Sequence, residues 1–215
     1  MKLKKPGRPI DPTLRERRCQ QILEAAARLF AERGYAEADT QELADRLGVG
    51  KGTLYRYFPT KRELFLAAVD RLLRQLRQAV DDSLVGVQDP LDQVAYAIRT
   101  YLDFCAAHPE VVELLIQERA HFKDRQQLTY FAHREANVER WRKLFRELIA
   151  AGRVRRLPVE RIIDVISDLV YGTMVTNYFA GQRKPSEGQT RDILDIVWHG
   201  ILSPAERRLR RAENE

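Results

Sequence analysis

Read for its hydrophobic and polar positions, the chain is a series of amphipathic helical patterns punctuated by proline and glycine, with almost no alternating strand pattern. A first helix is predicted from about Thr13 to Arg33, where Ile22, Ala26, Leu29 and Phe30 share one face and Gly34 ends the pattern. Two short helices follow, about Thr40 to Leu47 and Lys51 to Phe58, on either side of a Gly48-Val49-Gly50 turn. Asp39 with Glu42, and Thr60 with Glu63, have capping-box spacing; the second pair opens a long fourth helix reaching about Leu84. Five more helices are expected: Pro90 to Ala107, Pro109 to about Arg119, about Arg125 to Ala151, Pro158 to Phe179, and one capped by Ser186 with Gln189 that ends near Leu202. The expectation is an all-α chain of about nine helices. Its parts are a basic arm (1–12), a helix-turn-helix domain (13–60), a helical regulatory and dimerisation domain (61–202) and a charged tail (203–215).

Charge sharpens this division. Residues 1–80 hold 17 Lys and Arg against 10 Asp and Glu, a net +7, whereas residues 81–215 hold 20 against 21. A basic module followed by a near-neutral one fits a polyanion-binding domain joined to a domain with another task. No apolar run is long enough to span a membrane, and no apolar signal core follows the basic start. The expected location is therefore cytoplasmic, with no membrane partner.

The segment TQELADRLGVGKGTLYRYFPTK, 40–61, carries the chemistry. Two short helices about a glycine turn form a helix-turn-helix, whose second helix can enter the major groove. Leu43, Ala44, Leu47, Val49, Leu54 and Phe58 can face inward, which turns Gly52, Thr53 and Arg56 outward. Gly52 would let the backbone approach base edges. Arg56 could grip a guanine edge and Thr53 could touch a thymine methyl. Lys51, Tyr55, Tyr57 and Lys61 lie to the sides, within reach of phosphates, and Thr40 sits at a helix N-terminus that favours an anion.

The stretches ILEAAARLFAERGY, TQELADRLGV and GKGTLYRYFPTKRELF resemble the N-terminal domain of the tetracycline-repressor (TetR) family of bacterial regulators. The resemblance is strong over about residues 14–66; beyond them it rests on helix number and length. It implies an all-helical homodimer bound to double-stranded operator DNA; no cofactor is expected. DNA contacts would fall on Thr40, Gln41, Lys51, Gly52, Thr53, Tyr55, Arg56, Tyr57 and Lys61. Base specificity does not carry over, because the position of Arg56 varies within the family.

In the arm, Lys4 and Lys5 flank a Gly7-Arg8-Pro9 core similar to an AT-hook, whose Arg8 would lie in an A·T-rich minor groove. A solvated basic tail giving only phosphate attraction is the alternative. The eighth and ninth helices are apolar on more than one face. The resemblance makes them the dimer bundle, with Leu169, Gly172, Met174, Val197, Trp198 and Ile201 at the interface; an ordinary subunit core would have the same pattern. The resemblance also places an effector pocket among the middle helices. Candidates are Tyr96, Tyr101, Cys105, Tyr130, His133, Asn137 and Trp141, which would suit a small, mostly apolar ligand, though aromatics at helical spacing serve equally as core.

Other classes find little support. The four histidines are scattered, and neither Cys19 nor Cys105 has a partner at metal-ligand spacing, so no metal is expected. Four serines, no nucleophile elbow and no phosphate-binding glycine loop argue against an enzyme. The expected function is a transcriptional regulator, a repressor released from its operator by the effector, with an activator or a protein-controlled regulator as the alternative on the same fold.

Overall fold

A computed structural model describes residues 12–182 and 187–199. Among them are nine helices and no strand: α1 (Pro12–Glu37), α2 (Thr40–Arg46), α3 (Lys51–Tyr57), α4 (Lys61–Ser83), α5 (Pro90–Ala107), α6 (Glu110–His121), α7 (Thr129–Ala150), α8 (Val159–Phe179) and α9 (Glu187–His199). None of the described helices is long and apolar enough to cross a membrane. Lys4, Lys5 and Arg8 of the arm, Ser186 and Ile201 lie outside the described residues.

The chain forms two compact units. Of the described residues, those up to Arg74 and Glu113–Phe131 form the first; Gln75–Val112 and those from Ala132 onward form the second. The boundary expected at residue 60 thus falls inside the first unit. The reason lies in α4, whose Leu64, Phe65, Ala68, Val69 and Leu72 are all buried. Ile22, Ala26, Leu29 and Phe30 of α1, Leu43 and Ala44 of α2, Leu54 of α3, and Leu114 and Phe122 are buried in the same unit. Each fully buried Leu or Phe stabilises by roughly 1.5–3 kcal/mol, so the short α2 and α3 are held by this core and not by their own propensity. Phe30, Tyr35, Phe65 and Phe122 form a ring cluster with centroid separations such as 5.0 Å (Phe30–Phe65) and 4.8 Å (Tyr35–Phe122).

Gly34 does interrupt α1, with φ 78° and ψ 158°, but a further helical turn continues to Glu37. The α7 helix starts at Thr129, four residues later than the pattern predicts. Here the fully buried Glu118 carboxylate accepts from the Thr129 backbone N–H at 2.9 Å and from Thr129 Oγ1 at 2.8 Å, fixing the helix start from a different element.

In the second unit α5 packs on α8 and α9. Val94, Ile98, Leu102 and Cys105 of α5 are buried, as are Ile163, Val170 and Met174 of α8. The Asn177 and Gln189 amides exchange two hydrogen bonds, 2.8 and 3.0 Å, tying α8 to α9.

Candidate nucleic-acid interface

The α2–turn–α3 segment is built from local capping. Asp39 caps α2, its carboxylate accepting from Gln41 N–H at 2.7 Å. That bond, with Lys51 also nearby, holds the Asp39 carboxyl below its ordinary range. The expected capping box is only half formed: Glu42 turns instead to Arg46 and Arg33, which claim its carboxylate. At the far end Gly48 takes φ 62°, Gly48 N–H donates to Asp45 O (3.1 Å) and Val49 N–H to Ala44 O (3.0 Å). This is a Schellman closure, and its left-handed residue is why glycine stands there. Thr60 and Glu63 do form a reciprocal box at the start of α4, each backbone N–H donating to the other's side chain at 3.1 Å.

With Leu54 fully buried, α3 turns Lys51, Gly52 and Arg56 to the surface. The half-buried Thr53 accepts from Arg56 Nη2 at 3.0 Å, and Lys51 Nζ lies 3.6 Å from Asp39 Oδ1. Gly52 has no left-handed φ, and a Cβ built on it meets nothing within 4 Å. Nothing inside the subunit requires a glycine there, although glycine costs about 1 kcal/mol relative to alanine within a helix.

The remaining expected contacts are placed less simply. Thr40 is buried, and its hydroxyl pairs with Tyr55 Oη at 3.0 Å, so its side chain bridges α2 and α3. Its backbone N–H, in the first turn of α2, lies at the helix N-terminus that favours an anion. Gln41 is exposed and donates to Asp45 at 2.8 Å. Tyr57 is half-buried. Lys61 donates to Ala36 O at 2.9 Å and lies 5.0 Å from the Tyr35 ring centre. Sequence reasoning missed this cradle because the lysine's partners lie 25 residues away at the end of α1.

The effector candidates fall in both units. Tyr130 belongs to the first unit and the other six to the second. Tyr96 is exposed, and Cys105 is buried with its thiol pushed up to about 12 by that burial. Asn137 donates to His133 O on its own helix at 2.6 Å, and Arg140 lies over the Trp141 ring. Tyr101 reaches Met174 Sδ at 3.7 Å. Met174, expected at a dimer interface, is only 2% exposed and is a core residue of its own subunit. Leu169 and Gly172 are exposed on α8, and Val197 and Trp198 are half-buried on α9. Val165 and Phe179, apolar positions of the same helix, are 53% and 71% exposed. Among the described residues no group of three His, Cys, Asp or Glu stands where a metal could be held.

A DNA-binding regulator fold is what this arrangement defines, and comparison with known proteins assigns it. Residues 22–68 match the model for bacterial regulatory proteins of the tetR family, and residues 87–174 match the tetracyclin repressor-like C-terminal domain. The chain belongs to the TetR family of transcriptional regulators. It is 38% identical over 90 residues, 42% of this chain and 41% of the other, to the transcriptional activator FasR of Mycolicibacterium smegmatis. It is 29% identical over 119 residues, 55% and 60% of the two chains, to the nucleoid occlusion factor SlmA of Pasteurella multocida. The aligned part of the chain thus spans about half the length of the curated relatives it matches. Among solved structures it is similar to FadR of Bacillus subtilis in complex with stearoyl-CoA, with TM-score 0.73, 18% identity and coverage of 85% and 99%. A Saccharomonospora viridis regulator in complex with choline has TM-score 0.73, 19% identity and coverage of 87% and 99%. At these identities the structures share the fold.

Proposed function

We propose that the chain is an operator-binding homodimer that reads DNA with the outward face of α3 and is released by a small, mostly apolar effector. The observation that carries the reading is the surface formed by Lys51, Gly52 and Arg56, where a bare backbone position sits between two exposed cations. Arg56 reads a base edge, Lys51 a phosphate, and Gly52 lets the helix approach closely. Gln41, Thr53, Tyr55, Tyr57 and Lys61 contribute flanking contacts, as does the Thr40 backbone. Lys4, Lys5 and Arg8 of the arm enter an A·T-rich minor groove beside the operator.

The second copy docks on the exposed apolar face of α8 and on α9, through Leu169, Gly172, Val197, Trp198 and Ile201, with Val165 and Phe179 extending the patch. Two recognition helices about 34–36 Å apart then meet successive major grooves. The effector binds among the middle helices near Tyr101 and Cys105; the stearoyl-CoA held by the FadR neighbour supports an apolar ligand of this kind. FasR, a named activator, supports a second reading in which the bound protein recruits transcription instead of blocking it. Either regulator works beside the DNA, in the cytoplasm, and performs no catalysis.

The test is fluorescence anisotropy with DNA from upstream of the protein's own gene over a salt series. Sequence-selective binding that Arg56→Ala weakens at least tenfold, with relaxed selectivity, is expected, since a bidentate base contact is worth about 1–3 kcal/mol in each half-site. Weak binding indifferent to sequence and to the substitution would overturn the reading.

A further inference from the structure

We propose that Arg62 and Asp124 form a latch by which the segment after α6 sets the position of the recognition helix. The inference rests on the DNA-reading role of α3 proposed above and adds two positioning residues that do not themselves touch DNA.

Lys61 and Arg62 occupy the first turn of α4, where the helix dipole disfavours cations. Both are compensated from outside the helix, in different directions. Lys61 takes the Ala36 carbonyl and the Tyr35 ring at the end of α1. Arg62 Nη2 donates to Asp124 Oδ2 at 2.6 Å, and its guanidinium lies 5.0 Å from the Phe122 ring centre. The same bond holds the Asp124 carboxyl below its ordinary range. The rings beneath these cations belong to one cluster, because Tyr35 and Phe122 meet at 4.8 Å.

The start of α4 is therefore gripped from two sides, and α3 follows it rigidly. Only Phe58, Pro59 and Thr60 separate Tyr57 from Lys61; proline fixes one φ, and Thr60 is locked in its box with Glu63. The segment supplying Asp124 is itself anchored. Gln117 Nε2 donates to Phe30 O at 2.9 Å, beside the Gly34 break, and Glu118 holds Thr129. Residues 113–131 lie in the regulatory half of the sequence but pack in the DNA-reading unit. Helices α6 and α7 continue from this segment into the second unit, which gives a change there a covalent route to the latch.

A latch and a direct phosphate contact predict opposite signs. If Arg62 bound phosphate, Asp124 would only oppose it, and Asp124→Asn would tighten DNA binding. The latch predicts that Asp124→Asn raises Kd for the operator about three- to tenfold, as expected for a partly exposed ion pair present in both copies. The slope of log Kd against log salt would not change, because no phosphate contact is lost. The exchanged pair Arg62→Glu with Asp124→Arg should recover most of the affinity, whereas Arg62→Glu alone should not. Anisotropy on full-length protein reads these effects, with thermal melts alongside; Asp124 is exposed, so the variant should melt near wild type. Affinity equal to or tighter than wild type in Asp124→Asn overturns the latch alone. So does a loss of affinity that only tracks a fall in melting temperature. Absence of selective binding by the wild type overturns the DNA-reading proposal and the latch with it.

Discussion

Two helices of this protein each carry a glycine that their own subunit does not need. Gly52 in α3 and Gly172 in α8 are exposed, neither has a left-handed φ, and a Cβ on either meets nothing within 4 Å. Each costs its helix about 1 kcal/mol relative to alanine. Gly48, by contrast, is explained within the chain by its φ of 62°. The surroundings of the two unexplained glycines differ. Gly52 lies among Lys51 and Arg56, a cationic surface; Gly172 lies on the helix that exposes Val165, Leu169 and Phe179, an apolar one. A helix that gives up stability without an internal reason points to a partner outside, and the neighbouring side chains state its chemistry. On the function proposed above, that partner is a polyanion at α3 and a second apolar helix at α8.

Breaking the apolar side should have the largest effect. Leu169→Asp puts a charge into the proposed interface without disturbing the subunit core, since Leu169 is 37% exposed. Sedimentation should show the dimer replaced by monomer, and operator affinity should fall by more than a hundredfold because the two half-sites are no longer read together. An unchanged dimer would remove α8 from the comparison. Arg56→Ala comes next, with its tenfold or greater loss and relaxed selectivity, and leaves the dimer intact. The smallest effect is acid sensitivity at the α2 cap. The folded-state pKa of Asp39 is lowered, first by the Gln41 amide and then by Lys51. Its contribution is thus present at neutral pH and is lost as pH falls through that lowered value, below about pH 4. Asp39→Asn keeps a capping oxygen but does not titrate, so its melting temperature should fall less than wild type's between pH 5 and 3. Parallel curves would show that this cap contributes nothing pH-dependent.

Much of this architecture is legible in the sequence because its signals are local. Pro90, Gly48 and the Thr60–Glu63 box mark helix ends through chemistry within a few residues, and those ends stand where expected. The readings that changed depended on distant partners. Thr129 starts α7 because Glu118 reaches it from α6; Glu42 leaves its box because Arg33 and Arg46 compete for it. Lys61 is turned toward Ala36, and Met174 is absorbed by Tyr101. Of the outward set on α3, Gly52 and Arg56 followed from period and turn, since a buried Leu54 fixes which side of a seven-residue helix faces out; Thr53 is half-buried instead, and Lys51, expected to the side, is exposed. No comparable rule picks an effector site, because aromatic residues at helical spacing look the same in a core and in a pocket.

The most direct test of the comparison is Gly52→Ala, measured twice on the same preparation. Thermal unfolding reads the subunit, and anisotropy with the operator reads the partner. The melting temperature should rise by about 2–4 °C from the better helix former, while operator binding should weaken at least tenfold because of the added methyl. A variant that melts higher and binds the operator as tightly as wild type would contradict the comparison, because the glycine would then serve neither the fold nor the DNA.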